Sequence, residues 1–394
     1  MVSLMAQDDK LARELSIEEW YHGLLPREDM NTLLRRNGDF LVRYSEAYKG
    51  QNKSFIISVM AKEHLEKDGI KHYIIKRNPQ GKFLIERWAF PTVKAMILHH
   101  LKKKDSLVTT DCIPLLTAIK RQEWEHSHDD VQITKKLGEG AFGEVSLGRL
   151  KILRGPQAGQ TVDVAVKMAK LEQMTKDQLK EIMCEARLMR RFSHPNVVKF
   201  YGVATLQEPL MVIMELAADG ALDSYLKKVP ATQVKKNEMV LQAAMGLDYI
   251  HKKNVLHRDL AARNCLYGGG NVKIADFGLS REGNCFQMDP HSRVPIRWLA
   301  PECIATAVFT HKTDVWSFGV LAWEIYNSGI EPYPGMMVAE VAQSVRQGYR
   351  LDFPSGVKGE VAAFFKGTIW HEDATQRPTM AEVVRQLQGL YSNH

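Results

Sequence analysis

Residues 255–266 read VLHRDLAARNCL, and Asp276, Phe277 and Gly278 follow shortly after. Asp259, Asn264 five positions later and Asp276 bring three oxygen-bearing side chains into one stretch of chain. Any one of these aspartates, taken alone, reads as a residue that caps a loop. The cluster narrows the choice of fold only if the rest of the chain supplies cations and approachable backbone to match.

Those features lie upstream. Residues 137–145 read LGEGAFGEV between two strand-like runs. Gly138, Gly140 and Gly143 allow a tight hairpin whose backbone N–H groups approach phosphate oxygens. A dinucleotide fold would want a helix straight after the glycines, but residues 144–150 alternate like a strand, with Val145 and Leu147 on one side. Residues 162–167 (VDVAVK) alternate too, so Ala165 and Lys167 share a face. A small residue there suits the floor of an adenine site, and a lysine suits phosphates. In the next helical stretch Ile182, Ala186 and Met189 form an apolar stripe with Glu185 inside it. A carboxylate on a buried face needs a cation, because losing one partner of a buried pair costs roughly 3–5 kcal/mol. Lys167 is the candidate.

Taken jointly, these motifs make residues 131–388 resemble the kinase domain of non-receptor tyrosine kinases. The resemblance implies ATP and Mg2+ (or Mn2+), with Leu137, Gly138, Gly140, Gly143, Val145, Ala165, Lys167, Met214, Glu215 and Leu216 around the nucleotide. Asp259 would orient the substrate hydroxyl and accept its proton. Asn264 and Asp276 would hold the metal, and Lys167, paired with Glu185, would steer the α- and β-phosphates. Ala300, Pro301 and Glu302 match the segment that closes the activation loop, and Arg377 matches the arginine that pairs with Glu302. Tyrosine specificity is implied by Arg263, since serine/threonine kinases instead carry a lysine two residues after the aspartate. Pro295, Ile296, Arg297 and Trp298 resemble the shelf that supports a substrate ring.

Residues 20–118 carry a smaller α+β pattern: a helix over 28–36, strands over 40–44, 55–60 and 72–76, and a second helix over 93–101. Arg43 stands in the apolar strand FLVRYS and shares a face with Leu41 and Ser45. That segment resembles the SH2 signature, whose buried arginine grips phosphotyrosine with a bidentate fork. The resemblance brings Arg27, Ser45 and His72 to the same pocket. Tyr44, where the family usually has glutamate, should face away from the phosphate; Ile74 replaces the family's pocket lysine, which throws more of the grip onto Arg27. The expected fold class is α+β: an SH2 domain (20–118; antiparallel sheet flanked by two helices) followed by a bilobal protein-kinase domain (131–388). An extension (1–19), a linker (119–130) and a tail (389–394) complete it.

An SH2 domain joined directly to a tyrosine kinase, with the phrases GRL and FSHPNVV, resembles the Fes/Fer group without its N-terminal membrane-bending part. In that group the SH2 domain packs on the helix bearing the paired glutamate, and Trp124 in the linker is the residue expected to couple the two. Residues 276–302 contain no tyrosine, so activity is expected not to depend on phosphorylation of a loop tyrosine. Phe286 or Cys285 falls near the usual position. Glu282 or Asp289 pairing with Arg258, or phosphorylation of Ser292, would be substitutes.

Bulk properties fit this reading without choosing it. A chain of 394 residues suggests two or three domains. Its net charge of +7 suits an acidic ligand or a solvated basic surface, and no motif points to nucleic acid. Five cysteines without a C-x-x-C pair argue for a reducing compartment. No apolar run is long enough to span a bilayer. The implied protein is cytoplasmic, with recruitment to the membrane periphery or adhesion complexes only through a partner. Its partners would be phosphotyrosine-containing proteins and tyrosine-containing protein substrates. The rival reading is a pseudokinase or adaptor acting through SH2 docking alone; its signature would be loss of Lys167, Asp259 or Asp276, and all three are present.

Overall fold

In a computed structural model that describes residues 2–46, 53–110, 112–140, 143–169, 175–289 and 294–392, the chain forms two compact units. The first comprises residues 1–186 and 201–214, the second residues 187–200 and 215–394.

In the first unit the extension expected over 1–19 contains the helix Val2–Leu15. Leu11 and Leu15, one turn apart, are buried against Trp20, Tyr21, Phe40, Val42 and Ile57, so this helix belongs to the hydrophobic core beside it. That core lies on a sheet ordered Ile70–Ile74, Lys53–Met60, Asp39–Glu46, Thr117–Ala118. The first three strands are antiparallel and the last is parallel to its neighbour. The helix Val93–Lys103 covers it with Val93, Met96, Ile97 and His100, which share one face. Thr92 caps its start through Ala95 N–H, and it ends at Lys104 in the left-handed region.

The helix expected over 28–36 is shorter. A 3-10 turn, Arg27–Asp29, runs into Met30–Leu33 and stops. The Asp39 carboxylate accepts from the backbone N–H groups of Arg35 and Arg36 at 3.0 and 2.8 Å, offering them a partner that competes with the helix ladder.

A six-stranded sheet follows in the same unit, ordered Glu125–His126, Phe200–Ala204, Leu210–Glu215, Thr161–Ala169, Gly143–Lys151, Val131–Gly140. The stretch 119–130, expected as a linker, contributes an edge strand, with Glu125 and His126 pairing in parallel with Val203 and Ala204. Glycine at 143 is required: its φ is +142°, and a Cβ would collide with the Met168 carbonyl oxygen. The helix Lys176–Met189 buries Ile182, Met183, Ala186 and Met189.

The second unit is mainly helical. The helices Gln233–Lys252 and His311–Tyr326 start at threonine caps, Thr232 and Thr310, and the second of them is buried from Thr313 to Tyr326. The hairpin Cys265–Gly268/Asn271–Ile274 carries the end of the HRD segment. Glu302 and Arg377 form a two-pronged ion pair at 2.6 and 2.9 Å, as their motifs imply.

Candidate functional site

In the first unit the glycine-rich segment is a hairpin, with Gly140 opposite Gly143 and Gly138 opposite Val145; Ala141 and Phe142 lie outside the described residues. The next pairing puts Lys167 opposite Val145 and Ala165 opposite Leu147, so Val145, Ala165 and Lys167 sit together on adjoining strands. Leu137, in the strand Val131–Gly140 next to Gly138, is half exposed. Lys167 Nζ reaches Glu185 Oε2 at 3.4 Å, and both side chains are largely shielded from solvent. The pairing deduced from a lone carboxylate on an apolar stripe is therefore present. Met214, next to last in the Leu210–Glu215 strand, is half-buried.

In the second unit Glu215 is tied to Lys273 at 3.0 Å, and Leu216 follows it half-buried. Asp259 Oδ1 accepts from Arg263 Nη2 at 2.6 Å, and the Arg263 guanidinium lies 4.1 Å from the centroid of Trp298. Residues singled out for separate reasons, the arginine of the AARN segment and the aromatic end of the ring shelf, thus stack on each other, and the arginine holds the Asp259 carboxylate. Burial raises the Asp259 pKa and the Arg263 charge opposes that shift. Asn264 donates from Nδ2 to the Asp259 carbonyl at 2.8 Å, which leaves its Oδ1 for a cation. Its own carbonyl accepts from Ala275 N–H, so Asn264 lies beside the exposed Asp276. Two oxygen donors and no further acidic cluster suit Mg2+, which keeps most of its shell for water and phosphate. Among the described residues, no group of three or more His, Cys, Asp or Glu forms a metal cage.

Two buried acids organise this loop. Asp314 accepts from the backbone N–H groups of His257 and Arg258 at 2.8 and 2.9 Å. Glu324, which sequence reasoning missed, accepts from Ala262 N–H and from Trp298 Nε1–H at 2.9 and 3.0 Å. Burial pushes the Glu324 carboxyl up to about 7. It lies in an apolar helix run, FGVLAWEIY, where a single glutamate was the available signal.

In the first unit Arg43 is 4% exposed, and its Nε donates to Ser58 Oγ at 3.1 Å. Ser58 Oγ lies 2.9 Å from His72 Nδ1. Burial, then Arg27 and the opposing Glu28, leave the Arg43 guanidinium at about 10, and burial with Arg43 and Arg27 holds His72 down to about 3. Arg43 thus feels the charge of Arg27, and His72 feels the charge of both arginines, as residues around one anion site would. Ser45 sits two residues along the same strand, half-buried. Tyr44 faces the other way: its ring packs on Phe55 at 4.7 Å and its hydroxyl donates to Asp8 at 3.4 Å.

The same unit joins these residues to the six-stranded sheet. His22 Nδ1 meets the buried Glu125 carboxylate at 2.8 Å, and its Nε2 donates to the Ile119 carbonyl at 2.9 Å. Leu24 N–H donates to Thr205 O at 2.9 Å, and Gly23, at φ +57°, is packed so closely that a Cβ would strike that oxygen. Glu28, next to Arg27, pairs with Lys180 on the helix that carries Glu185, at 3.4 Å.

Comparison with known proteins decides the family. Residues 131–387 match the protein tyrosine and serine/threonine kinase family, and residues 20–100 match the SH2 domain. Fer-related kinase 1 of Caenorhabditis elegans is 37% identical over 390 residues, 98% of this chain and 97% of that protein. The chain belongs to the Fes/Fer group of non-receptor tyrosine kinases. Human tyrosine-protein kinase Fer is 34% identical over 95% of this chain, which spans only 44% of Fer's own length. The transforming protein Fps of avian sarcoma virus (strain PRCII) is 32% identical, and the chain spans 70% of it.

The molecule is thus an α+β protein-tyrosine kinase with an SH2 domain ahead of its kinase domain, and the pseudokinase reading is not favoured. Among the described residues no helix is long and apolar enough to cross a membrane. Of the two carboxylates suggested as partners for Arg258, Glu282 and Asp289, Glu282 pairs with Arg191, at 2.6 Å. Ser292 lies outside the described residues.

Proposed function

We propose that this kinase transfers the γ-phosphate of ATP to protein tyrosine, using the roles expected of its motifs. The observation that carries the reading is the Asp259 carboxylate held by an Arg263 that is itself stacked on Trp298. Asp259 orients the phenol and takes its proton. Burial raises its pKa, which improves it as a base. Arg263 stabilises phosphate charge on the product side, and Lys167, fixed by Glu185, steers the α- and β-phosphates. The glycine-rich hairpin covers the phosphates, and Leu137, Val145, Ala165, Met214, Glu215 and Leu216 surround the base. Asn264 and Asp276 hold Mg2+, which when bound neutralises charge on the phosphates.

The SH2 domain (20–118) docks on phosphotyrosine through Arg27, Arg43, Ser45 and His72. The linker (119–130) transmits docking to the kinase domain (131–388). Glu28 favours this reading, since it joins the phosphate-binding end of the SH2 domain to the helix bearing Glu185. We place the protein in the cytoplasm, drawn to the membrane periphery by phosphorylated partners.

Purified chain, ATP, Mg2+ and poly(Glu,Tyr) test the catalytic assignment. Phosphate incorporation is expected, with Asp259→Asn lowering kcat at least a hundredfold, within the range of general-base contributions. An Asp259→Asn protein of wild-type activity contradicts the assignment.

A further inference from the structure

Phe286 is the central residue of the short strand Cys285–Gln287, inside the loop that lacks a tyrosine. This strand pairs antiparallel with Val308–Thr310, which sets Phe286 directly opposite Phe309. The Arg258 guanidinium lies over both rings, 4.1 Å from the Phe286 centroid and 4.5 Å from that of Phe309. Arg258 is 4% exposed, and its Nε has no hydrogen-bond partner among the described residues. Aromatic faces receive this charge where a carboxylate or phosphate would be the ordinary partner. Nη1 donates to the Leu279 carbonyl at 2.7 Å.

The backbone at Arg258 explains why this grip has a consequence for chemistry. Its φ is +71°, a conformation that L residues adopt only when their surroundings impose it. The next residue is Asp259. Two anchors impose the conformation: the Asp314 carboxylate on the Arg258 N–H, and the two rings on its side chain. Arg281 stands 5.6 Å from the same Phe286 ring. Burial, and then the Arg281 charge, push the Arg258 guanidinium down to about 10, so it remains cationic at neutral pH and able to use the rings.

We propose that Phe286, backed by Phe309, is a positioning residue for phosphoryl transfer: its ring holds the Arg258 guanidinium and so fastens the loop strand to the catalytic loop without any added phosphate. The inference rests on the kinase reading above. It assigns the 285–287 strand a permanent, aromatic attachment, so loop order is a property of the unmodified chain.

The test uses the full chain treated with phosphatase and assayed by initial rates on poly(Glu,Tyr), as wild type, Phe286→Leu, Phe286→Tyr and Phe309→Leu. Phe286 is half-buried, so leucine is accommodated, and melting temperatures recorded alongside separate lost fold from lost positioning. Phosphatase treatment should leave wild-type turnover unchanged. Phe286→Leu should lower kcat about tenfold, equal to about 1.4 kcal/mol, with KM for ATP within about twofold. Phe286→Tyr, which keeps the ring, should restore most of kcat, and Phe309→Leu should fall in the same direction as Phe286→Leu. Wild-type kcat in a folded Phe286→Leu protein overturns the proposal, and so does a Phe286→Tyr protein as slow as the leucine variant. A wild-type chain with no activity overturns the kinase reading itself.

Discussion

Arg43 Nε can only donate, so Ser58 Oγ accepts from it, and the same oxygen lies 2.9 Å from His72 Nδ1. Burial and the two arginines hold the His72 pKa down to about 3, so its imidazole is neutral. Ser58 is fully buried and behaves as the fixed point of the pocket. Removing its hydroxyl should cost about 1 kcal/mol, roughly a fivefold loss of phosphotyrosine-peptide affinity. Arg43→Lys, which loses the planar fork, should cost at least twice that. Fluorescence anisotropy with a labelled phosphopeptide measures both, and unchanged affinity in either variant contradicts this account. Arg43 and Tyr44 were legible in the sequence because each breaks an apolar strand at a readable position. Ser58 was not, since a serine in FIISVM is unremarked until the neighbouring strand brings Arg43 and His72 to it. Phe309 and Glu324 escaped for the same reason: their partners are set by tertiary pairing, over spans that no local period encodes.

At the scale of elements, the helix His311–Tyr326 supports the catalytic loop with two acids of opposite character. Asp314 is fully buried yet held below its ordinary range, because His251, His257 and the Arg258 N–H outweigh its desolvation. Glu324 is raised to about 7, because burial outweighs its two hydrogen bonds. A carboxyl raised on folding adds stability that is fully present below its unfolded pKa, near 4.5, and is lost as pH climbs through about 7. The span of roughly 2.5 units corresponds to about 3 kcal/mol. Urea denaturation at pH 5 and pH 7.5 should show wild type losing stability across this window and Glu324→Gln losing clearly less; identical slopes would contradict the assignment. The periodic elements were largely readable: the strands over 40–44, 55–60 and 162–167 and the Glu185 helix all form. The edge strand Glu125–His126 and the truncated helix after Arg27 were not. One depends on a sheet built from residues 200–204, the other on the Asp39 side chain capturing two backbone N–H groups.

For the whole molecule, regulation follows from how the first unit is joined. The SH2 core, the 119–130 stretch and the glycine-rich sheet share one compact body, linked by the buried His22–Glu125 pair, by Gly23 against Thr205 and by Glu28 with Lys180. The last pair is exposed and worth at most about 1 kcal/mol, so the buried contacts carry the attachment and Glu28 adds direction. Beside Trp124, the residue expected to couple the domains, the Glu125 carboxylate reaches His22, and the Trp124 carbonyl accepts from Val203 N–H. The proposed aromatic grip in a loop without tyrosine and the proposed docking through the SH2 pocket together place control on the SH2 side. The most direct measurement is the initial rate of phosphatase-treated full chain on a tyrosine peptide, with and without a phosphotyrosine peptide that fills the SH2 pocket. The account predicts phosphotyrosine formation from the first turnover, with no lag, and a severalfold rise on adding the phosphopeptide that Arg43→Lys abolishes. Activity that appears only after preincubation with ATP or a second kinase would contradict it.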